Sequence, residues 1–320
     1  MKKALITGIA GSGASYLAEY LLDRNIDVSG IVRWHGTSEQ KNLEKIKNNI
    51  TLYESDLMDL SSIIRALDQC RPDYIFHLAS HANVRVCFDS PIAVLQNNTI
   101  GTLNLFEAIR ILKLNPKIQF CSTSEVYGIV RPEDVPIKET CQLNPANIYA
   151  VSKLTQEKIA HSYFHSYGMN VVLTRAFTYI NPRRQDIFSS AFARKIVEIE
   201  YGRRDVLEHG NLDSIRTLID VRDIVKAYWV SLNQCSYGIP YNIGGLNSVS
   251  VGDFLEILKG KSKKKIKTKL SQNLLRPVDV SLQIPDVSLF TQKTGWKPEI
   301  SLDDSVEFLL NYYRRKLKNE

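Results

Sequence analysis

Tyr149 and Lys153 lie four positions apart in the segment Ile148-Tyr149-Ala150-Val151-Ser152-Lys153. If this segment is helical, both side chains lie on one face, with the lysine ammonium beside the phenol. A tyrosine normally titrates near pH ~10, but a neighbouring cation and an oxidised nicotinamide ring both favour the phenolate. Such a base takes the proton from a sugar hydroxyl while its carbon gives up a hydride. The spacing alone is common in helices, so this hypothesis depends on the rest of the chain.

The amino terminus has the pattern of a dinucleotide-binding turn. An apolar run over residues 3–7 is followed by Gly8-Ile9-Ala10-Gly11-Ser12-Gly13-Ala14 and then by an amphipathic segment. Gly8 suits a tight turn, Gly11 lets a pyrophosphate approach the backbone, and Ala14 is small enough for close packing of helix on strand. The phosphate then meets the amino end of the helix. The pattern therefore predicts dinucleotide binding.

The composition is that of an ordinary globular protein. The 320 residues are 44% apolar, which allows one large core and a smaller lobe. No apolar run approaches the roughly 20 residues of a spanning helix, so we expect a cytoplasmic protein with no membrane partner. Five scattered cysteines without C-x-x-C spacing argue against a disulfide framework and a zinc site. We predict no metal site, because His161 and His165, one helical turn apart, are better explained by packing.

The net charge of +7 comes from a single segment. Seven lysines lie within residues 259–269, and the rest of the chain balances to zero. Because this tract has no aromatic residue, it does not predict nucleic-acid binding. We interpret it as a solvated loop or helix end, with attraction to phosphate or an acidic polymer as the alternative.

Apolar runs alternate with helical patterns as far as residue 176. This order predicts a doubly wound parallel α/β sheet, the Rossmann arrangement. We predict an NAD(P)-binding domain over 1–176, to which 217–245 return. A smaller α/β substrate-binding lobe is predicted from 177–216 and 246–320.

Recognisable motifs lie along nearly the whole chain. They are Thr7 to Glu19, Gly30-Ile31-Val32-Arg33, Ser122-Thr123-Ser124-Glu125-Val126-Tyr127-Gly128, Asn181-Pro182-Arg183-Arg184, Arg194-Lys195, Gly210 to Arg216, Arg276-Pro277-Val278-Asp279 and Gly295-Trp296-Lys297-Pro298. Together they resemble the motifs of the extended short-chain dehydrogenase/reductases, and within that family the group around GDP-mannose 4,6-dehydratase and the related GDP-4-keto-6-deoxy-mannose reductases. The resemblance implies a Rossmann fold and a GDP-sugar substrate.

Arg33, at the end of the second predicted strand, bears on the cofactor. An acid there would bind the ribose of NAD, whereas an arginine attracts the 2′-phosphate of NADP. We therefore expect NADP, with NAD as the alternative because Trp34 stands where the family often has a second arginine. The cofactor-binding residues implied by the motifs and the resemblance are Gly8, Gly11, Ala14, Arg33, Asp56, Leu57, Leu78, Ala79, Tyr149 and Lys153.

The resemblance implies a 4,6-dehydratase acting through a transient 4-keto sugar. Thr123 would then bind the C4 oxygen beside Tyr149, and Glu125 would take the C5 proton. Ser124 would assist departure of the C6 hydroxyl, although a serine is a poor acid and its role could be hydrogen bonding alone. Lys153 completes the predicted catalytic set.

Two alternatives remain. A C4 oxidoreductase, either a reductase of 4-keto-6-deoxy sugars or a dehydrogenase of a GDP-hexose or heptose, shares the Thr, Tyr and Lys but needs no working glutamate. The segment Asp220-Val221-Arg222-Asp223-Ile224-Val225 also resembles those reductases. A cofactor-binding scaffold without catalysis is less consistent with the presence of Thr123, Tyr149 and Lys153.

Substrate contacts are implied by the same resemblance. They are Thr178, Asn181, Arg184, Lys195, Arg216, Arg276 and Asp279. Asn147-Ile148 departs from the Ser-Pro of the family and leaves the fine substrate geometry open, and the sequence does not decide between mannose and a heptose.

The resemblance also implies an oligomer. Helices near 92–113 and 147–166 correspond to the pair through which family members dimerise. The segment from Trp34 to Lys45 lies where tetrameric members lend a loop to a neighbour's cofactor. We therefore expect a homodimer or a homotetramer.

Overall fold

The computed structural model describes residues 1–34, 40–275 and 278–318. Its strands are Lys3–Thr7 (β1), Asp27–Val32 (β2), Ile50–Glu54 (β3), Tyr74–His77 (β4), Lys117–Thr123 (β5), Val171–Ala176 (β6), Tyr179–Ile180 (β7), Val206–His209 (β8), Ile215–Asp220 (β9), Pro240–Ile243 (β10), Asn247–Ser250 (β11), Lys267–Leu270 (β12) and Leu282–Gln283 (β13). Its α-helices are Ser12–Leu22 (α1), Leu60–Cys70 (α2), Val86–Asp89 (α3), Pro91–Ile111 (α4), Ile148–Tyr167 (α5), Phe188–Glu200 (α6), Val221–Gln234 (α7), Val251–Gly260 (α8), Ser288–Thr294 (α9) and Leu302–Lys318 (α10).

Seven parallel strands form the main sheet, in the order β10-β6-β5-β4-β1-β2-β3. Strand β6 is buried along its whole length, as expected for a parallel strand that is covered on both faces. One face packs against α1 and α7, and the other against α2, α4 and α5. The predicted doubly wound parallel sheet is confirmed.

The chain order reverses beside β1, because β2 and β3 extend to one side and β4, β5 and β6 to the other. In open α/β sheets, ligands bind at this reversal, outside the carboxyl ends of the strands. The loops after β1, β2, β4, β5 and β6 therefore define the place to look for a site.

A second group of strands and helices follows β6 along the chain. Strand β9 pairs with β11, β13 and β7, and β8 pairs with β12. Helices α6, α8 and α10 contribute to one apolar cluster with these strands. Strand β10 belongs to the main sheet and α7 packs against it. The boundaries of the two predicted domains stay a prediction.

The lysine tract runs from the end of α8 through the following loop into the exposed strand β12. Lys259 pairs with Glu256 at 2.7 Å and Lys261 with Asp303 at 2.7 Å. Lysines on an edge strand oppose pairing with another chain, which agrees with a solvated face. In the described ranges, no helix is long and apolar enough to cross a membrane.

Candidate active site

A cleft of about 1910 Å³ lies along the carboxyl ends of the main-sheet strands. Ligand pockets typically occupy about 300–1,000 Å³, so this cleft has room for two ligands. Among the described residues, eleven lysines and arginines and seven acids line it. The excess of positive charge favours anionic ligands.

The glycine-rich turn forms one end of the cleft. Gly8 has φ +67°, and a Cβ atom there would lie 3.0 Å from Cα of Ala79. Glycine is therefore required both for the backbone conformation and for the close approach. Gly11 precedes α1 and provides no side-chain cap, so the first amides of that helix are available to a phosphate. Ala14 packs in the core, as predicted.

The loops after β2 and β3 line the cleft with Arg33, Asp56 and Leu57. The carboxylate of Asp56 also accepts a hydrogen bond from the backbone N–H of Met58 at 2.9 Å. Asn42 donates a hydrogen bond to the carbonyl of Ala10 at 2.9 Å. This bond ties its segment to the glycine-rich turn.

Further cations that sequence reasoning missed lie on either side of Asn42. Lys41 and Lys45 line the cleft with Arg33. Leu78 and Ala79, which are predicted to contact the cofactor, line the cleft after β4. Of the predicted segment from Trp34 to Lys45, residues 35–39 lie outside the described residues.

Strand β5 and helix α5 bring the predicted catalytic side chains together. Thr123 ends β5, and its hydroxyl caps a 3-10 turn over Ser124–Tyr127 by accepting from the N–H of Glu125 at 3.3 Å. Tyr149 lies in the first turn of α5, where the Thr123 side chain acts to lower the pKa of its hydroxyl. Lys153 follows one turn later, and all these side chains line the cleft.

The pKa values differ from the simple picture of a lysine beside a phenol. Burial raises the pKa of Tyr149, and the main opposing influence is the guanidinium of Arg184, not the ammonium of Lys153. Burial also lowers the pKa of Lys153 to about 8, against the opposing effects of Cys121 and Glu157. For the protein's own groups, desolvation therefore outweighs neighbouring charge. The lowering of the Tyr149 pKa, which was expected from the lysine together with an oxidised nicotinamide, stays a prediction.

Glu125 projects into the cleft next to this pair. One carboxylate oxygen accepts from the amide of Asn147 at 3.2 Å, and the other accepts from the amide of Gln283 at 2.9 Å. Ser124 is buried and also lines the cleft. A carboxylate, a hydroxyl and a phenol therefore surround one region of the cleft, as general acid–base chemistry requires.

A buried ion pair supports this centre from behind. Arg175 on β6 donates to both oxygens of Glu157 on α5, at 3.0 and 2.8 Å. The hydroxyl of Ser122 donates to the same carboxylate at 2.5 Å. Because Ser122 precedes Thr123 and Glu157 lies one turn beyond Lys153, this pair fixes the strand end relative to the helix.

Four predicted substrate residues line the far half of the cleft, namely Thr178, Lys195, Arg216 and Asp279. The guanidinium of Arg216 donates to the carbonyl of Val280 at 2.6 Å and lies 3.5 Å from Asp279. Burial lowers the pKa of Lys195, and nearby arginines act in the same direction. These cations are held by the protein at fixed positions.

Arg184 and Asn181 lie in the loop after β7. Arg184 lines the cleft and donates to the carbonyl of Ala82 at 2.9 Å. Asn181 is fully buried and does not line the cleft. Its side-chain oxygen accepts from the N–H of Arg183 at 3.0 Å, and its amide nitrogen has no partner. The side chain of Asn181 therefore shapes its own loop. Arg276, another predicted substrate residue, lies outside the described residues.

Several residues in or beside the cleft were given no role in the sequence analysis. Gln283 and Asn147 hold Glu125, and Arg315 and Lys316 of α10 add charge at the rim. Arg183 pairs with Glu19 at 2.6 Å, which ties the loop after β7 to α1. Asn147 could have been found as an asparagine just before a predicted helix, the position of a helix cap.

The sequence of the chain is similar to known proteins of one family. The family model for GDP-mannose 4,6 dehydratase matches residues 5–308. A GDP-mannose 4,6-dehydratase of Yersinia enterocolitica is 32% identical over 95% of this chain and 91% of its own length. The GDP-mannose 4,6 dehydratase of Homo sapiens is 28% identical over 96% and 90%.

Solved structures show the same architecture. RMD from Pseudomonas aeruginosa, complexed with NADPH, has a TM-score of 0.85 and 25% identity over 99% of this chain and all of its own. A dTDP-glucose 4,6-dehydratase from Bacillus anthracis, in complex with NAD, has a TM-score of 0.85 and 20% identity over 99% and 98%, which bears on the fold alone. Because the family model covers almost the whole chain and the sequence motifs lie together in one cleft, the chain belongs to the GDP-mannose 4,6-dehydratase family.

Proposed function

We propose that the protein is a nucleotide-sugar 4,6-dehydratase that acts on a GDP-linked mannose-type sugar, a hexose or a heptose, with tightly bound NADP(H). The observation that carries this proposal is the position of Glu125, whose carboxylate lines the cleft together with Thr123 and Tyr149. The names of the relatives point to the same activity.

The cofactor proposal is supported by the fit of the site. Gly8 and Gly11 leave room for a pyrophosphate beside the uncapped amides of α1, and Arg33 provides a cation for the 2′-phosphate of NADP. NAD is the alternative, since solved relatives hold NADPH or NAD. A bound nicotinamide cofactor would supply the hydride chemistry of the reaction, with acceptance from C4 and return to C6.

The side chains have distinct parts in the proposed reaction. Tyr149 takes the proton of the C4 hydroxyl, with Thr123 hydrogen-bonded to the same oxygen and Lys153 supplying positive charge behind it. The resulting 4-keto group makes the C5 proton acidic, and Glu125 removes it. Ser124 hydrogen-bonds the departing C6 hydroxyl, which leaves as water with the proton that Glu125 took from C5. Hydride return to C6 and protonation of C5 from solvent would complete the reaction, and Tyr149 releases the C4 hydroxyl proton to solvent, so the reaction is redox-neutral.

The far half of the cleft suits the nucleotide. Lys195 and Arg216 would contact the pyrophosphate, and Asp279 would contact a polar edge of the guanosine or its ribose. Arg184 would contact the sugar, because its guanidinium is near enough to Tyr149 to lower the pKa of that phenol. Thr178 lines the same cleft and would donate to the sugar, while Asn181 would act by shaping its loop.

Replacing Glu125 with Gln tests the dehydratase against the alternative, a C4 oxidoreductase of GDP-sugars. Wild-type enzyme with GDP-mannose in deuterated water should give a product lighter by about 18 Da before label is counted, with deuterium at C5, because C5 is deprotonated during the reaction. The variant should stop after C4 oxidation and accumulate reduced cofactor, with its absorbance near ~340 nm. The exposed Glu133→Gln serves as the control.

A simple oxidoreductase predicts a different result. It needs no proton removal at C5, so Glu125→Gln would keep its rate within about tenfold, equal to ~1.4 kcal/mol in the barrier. Near-normal turnover of the variant, with no deuterium entering C5 in the wild type, would exclude the dehydratase. GDP-heptose tested beside GDP-mannose distinguishes the two sugars.

We also propose that the protein is at least a homodimer through α4 and α5, with a homotetramer as the alternative. These helices pack together and leave apolar side chains exposed, such as Ile92 at 71% and Ile111 at 46%, and exposed apolar patches mark protein interfaces. A monomer by light scattering at micromolar concentration would exclude this. The predicted domain boundaries and the cytoplasmic location remain part of the same proposal.

A further inference from the structure

The Glu125 carboxylate is held at both oxygens by amide side chains from two distant parts of the chain. Asn147 Nδ2 lies 3.2 Å from Oε2, and Gln283 Nε2 lies 2.9 Å from Oε1. Asn147 immediately precedes α5, whereas Gln283 ends β13, which pairs with β9. Two separate parts of the chain therefore fix one functional group.

Gln283 is locked in place. It is 3% exposed and lies opposite Arg216 in the β13–β9 pairing. Arg216 donates to the carbonyls of Val280 and Ser281, at 2.6 and 3.4 Å, just before Gln283. The backbone just after Gln283 is also held, because the N–H of Ile137 donates to the carbonyl of residue 284 at 2.8 Å. The Gln283 amide can therefore move little relative to Glu125.

The orientation of the Asn147 amide follows from its second contact. Its side-chain oxygen accepts from the N–H of Ala150 at 2.9 Å as the cap of α5. An amide has one acceptor atom and one donor atom, so the NH₂ group must face the other way, toward Glu125. The helix cap and the contact with Glu125 are thus made by the same side chain.

Two amide donors have a defined chemical effect on a carboxylate. Hydrogen bonds from N–H groups stabilise the ionised form and fix the plane of the group. Each oxygen keeps a further lone pair with which to accept a proton. The arrangement therefore leaves Glu125 able to act as a base while preventing it from rotating away.

We propose that Asn147 and Gln283 are positioning residues that hold Glu125 for removal of the C5 proton. This inference rests on the proposed dehydratase function. It gives a role to Asn147, where the sequence departs from the family pattern, and to Gln283, which lies in none of the sequence motifs.

The test uses variants that remove the donor and keep the fold. Asn147→Ser retains an oxygen suited to the helix cap but loses the amide donor. Gln283→Met retains the length of the side chain without a donor. The matched controls are Asn144→Ser, three residues before Asn147, and Gln272→Met. Both of these side chains are exposed.

Two steps are measured on the full-length enzyme with bound cofactor and GDP-mannose. Reduced cofactor in a single turnover follows C4 oxidation, and deuterium in the product follows C5 deprotonation. We expect each variant to oxidise C4 within about threefold of wild type and to exchange C5 at least about tenfold more slowly, since a bond to a charged group is lost. KM should change little, and the controls should behave as wild type.

Other outcomes are equally decisive. Equal slowing of both steps, or unchanged exchange at C5, would overturn the inference. If Asn147→Ser does not fold, Asn147→Asp keeps the cap and replaces the donor with an acceptor, so exchange should fall further. Glu125→Gln separates the two proposals: normal C5 exchange in that variant removes the dehydratase itself, whereas lost exchange there with normal exchange in Asn147→Ser and Gln283→Met removes only the positioning role.

Discussion

Replacing Lys153 with Met should abolish activity and yet stabilise the protein at neutral pH. The Lys153 side chain is 3% exposed, and burial lowers its pKa from 10.5 to about 8. A charged ammonium in this position is therefore less stable in the folded protein than in the unfolded chain. Methionine fills similar space without the charge.

The size of the effect follows from the two pKa values. Because the folded pKa lies below the unfolded one, the penalty is complete below about pH 8 and disappears above about pH 10.5. The difference in pKa corresponds to ~3 kcal/mol at pH ~7 and ~1.4 kcal/mol at pH ~9.5. The ammonium also lies 4.6 Å from the centre of the Phe120 ring, and losing that contact costs about 1 kcal/mol. The net gain is about 2 kcal/mol near pH ~7.

Urea unfolding of both proteins at the two pH values measures this gain. The variant should unfold at higher urea near pH ~7, and the difference between the proteins should shrink by ~1.5–2 kcal/mol near pH ~9.5. Lys158→Met, on the exposed face of the same helix, controls for removal of a lysine. A difference that does not change with pH would show that the Lys153 pKa is not depressed by burial.

Other substitutions test the rest of the site. Tyr149→Phe should lower turnover at least ~100-fold while cofactor affinity, followed by fluorescence titration, changes little; more than about a tenth of wild-type turnover would contradict its role as the base. Glu157→Gln should cost ~3–5 kcal/mol in urea unfolding because it leaves the buried Arg175 without its carboxylate, and a cost below ~1 kcal/mol would refute this account of the ion pair. Gly128→Ala should destabilise by more than Gly168→Ala, since both have positive φ but only at residue 128 would a Cβ overlap a neighbouring backbone carbonyl; equal thermal shifts would show that the overlap is relieved at no cost.

Local patterns in the sequence were sufficient for much of this site. The glycine-rich turn and the Tyr149–Lys153 spacing each depend on a few consecutive residues, and the structure places both in one cleft. The alternation of apolar and helical segments was likewise enough for the parallel sheet, because burial on both faces requires continuous apolar strands. These features depend on short stretches of chain.

The remaining features depend on contacts between distant residues. Gln283 contacts Glu125 although the two residues lie 158 positions apart in the sequence. The strand pairing that brings them together has no recognisable pattern in the sequence. Asn181 belongs to a substrate-binding motif but turns away from the cleft to hold its own loop. The pKa values of Tyr149 and Lys153 depend on desolvation, which spacing alone does not reveal.

The buried pair of Glu157 and Arg175 also determines which pieces of the chain are exchangeable. It joins α5 to β6, Ser122 joins β5 to the same carboxylate, and the Tyr127 hydroxyl that contacts Arg175 reaches Asn242 on β10 at 2.7 Å. In a chimera that takes α5 from a related enzyme, the buried carboxylate of the transplanted helix would lack the strands that neutralise it in its own protein. Strands β5, β6 and β10 and helix α5 therefore have to be exchanged together, whereas the loops that line the far half of the cleft lie outside this unit and are free to diverge.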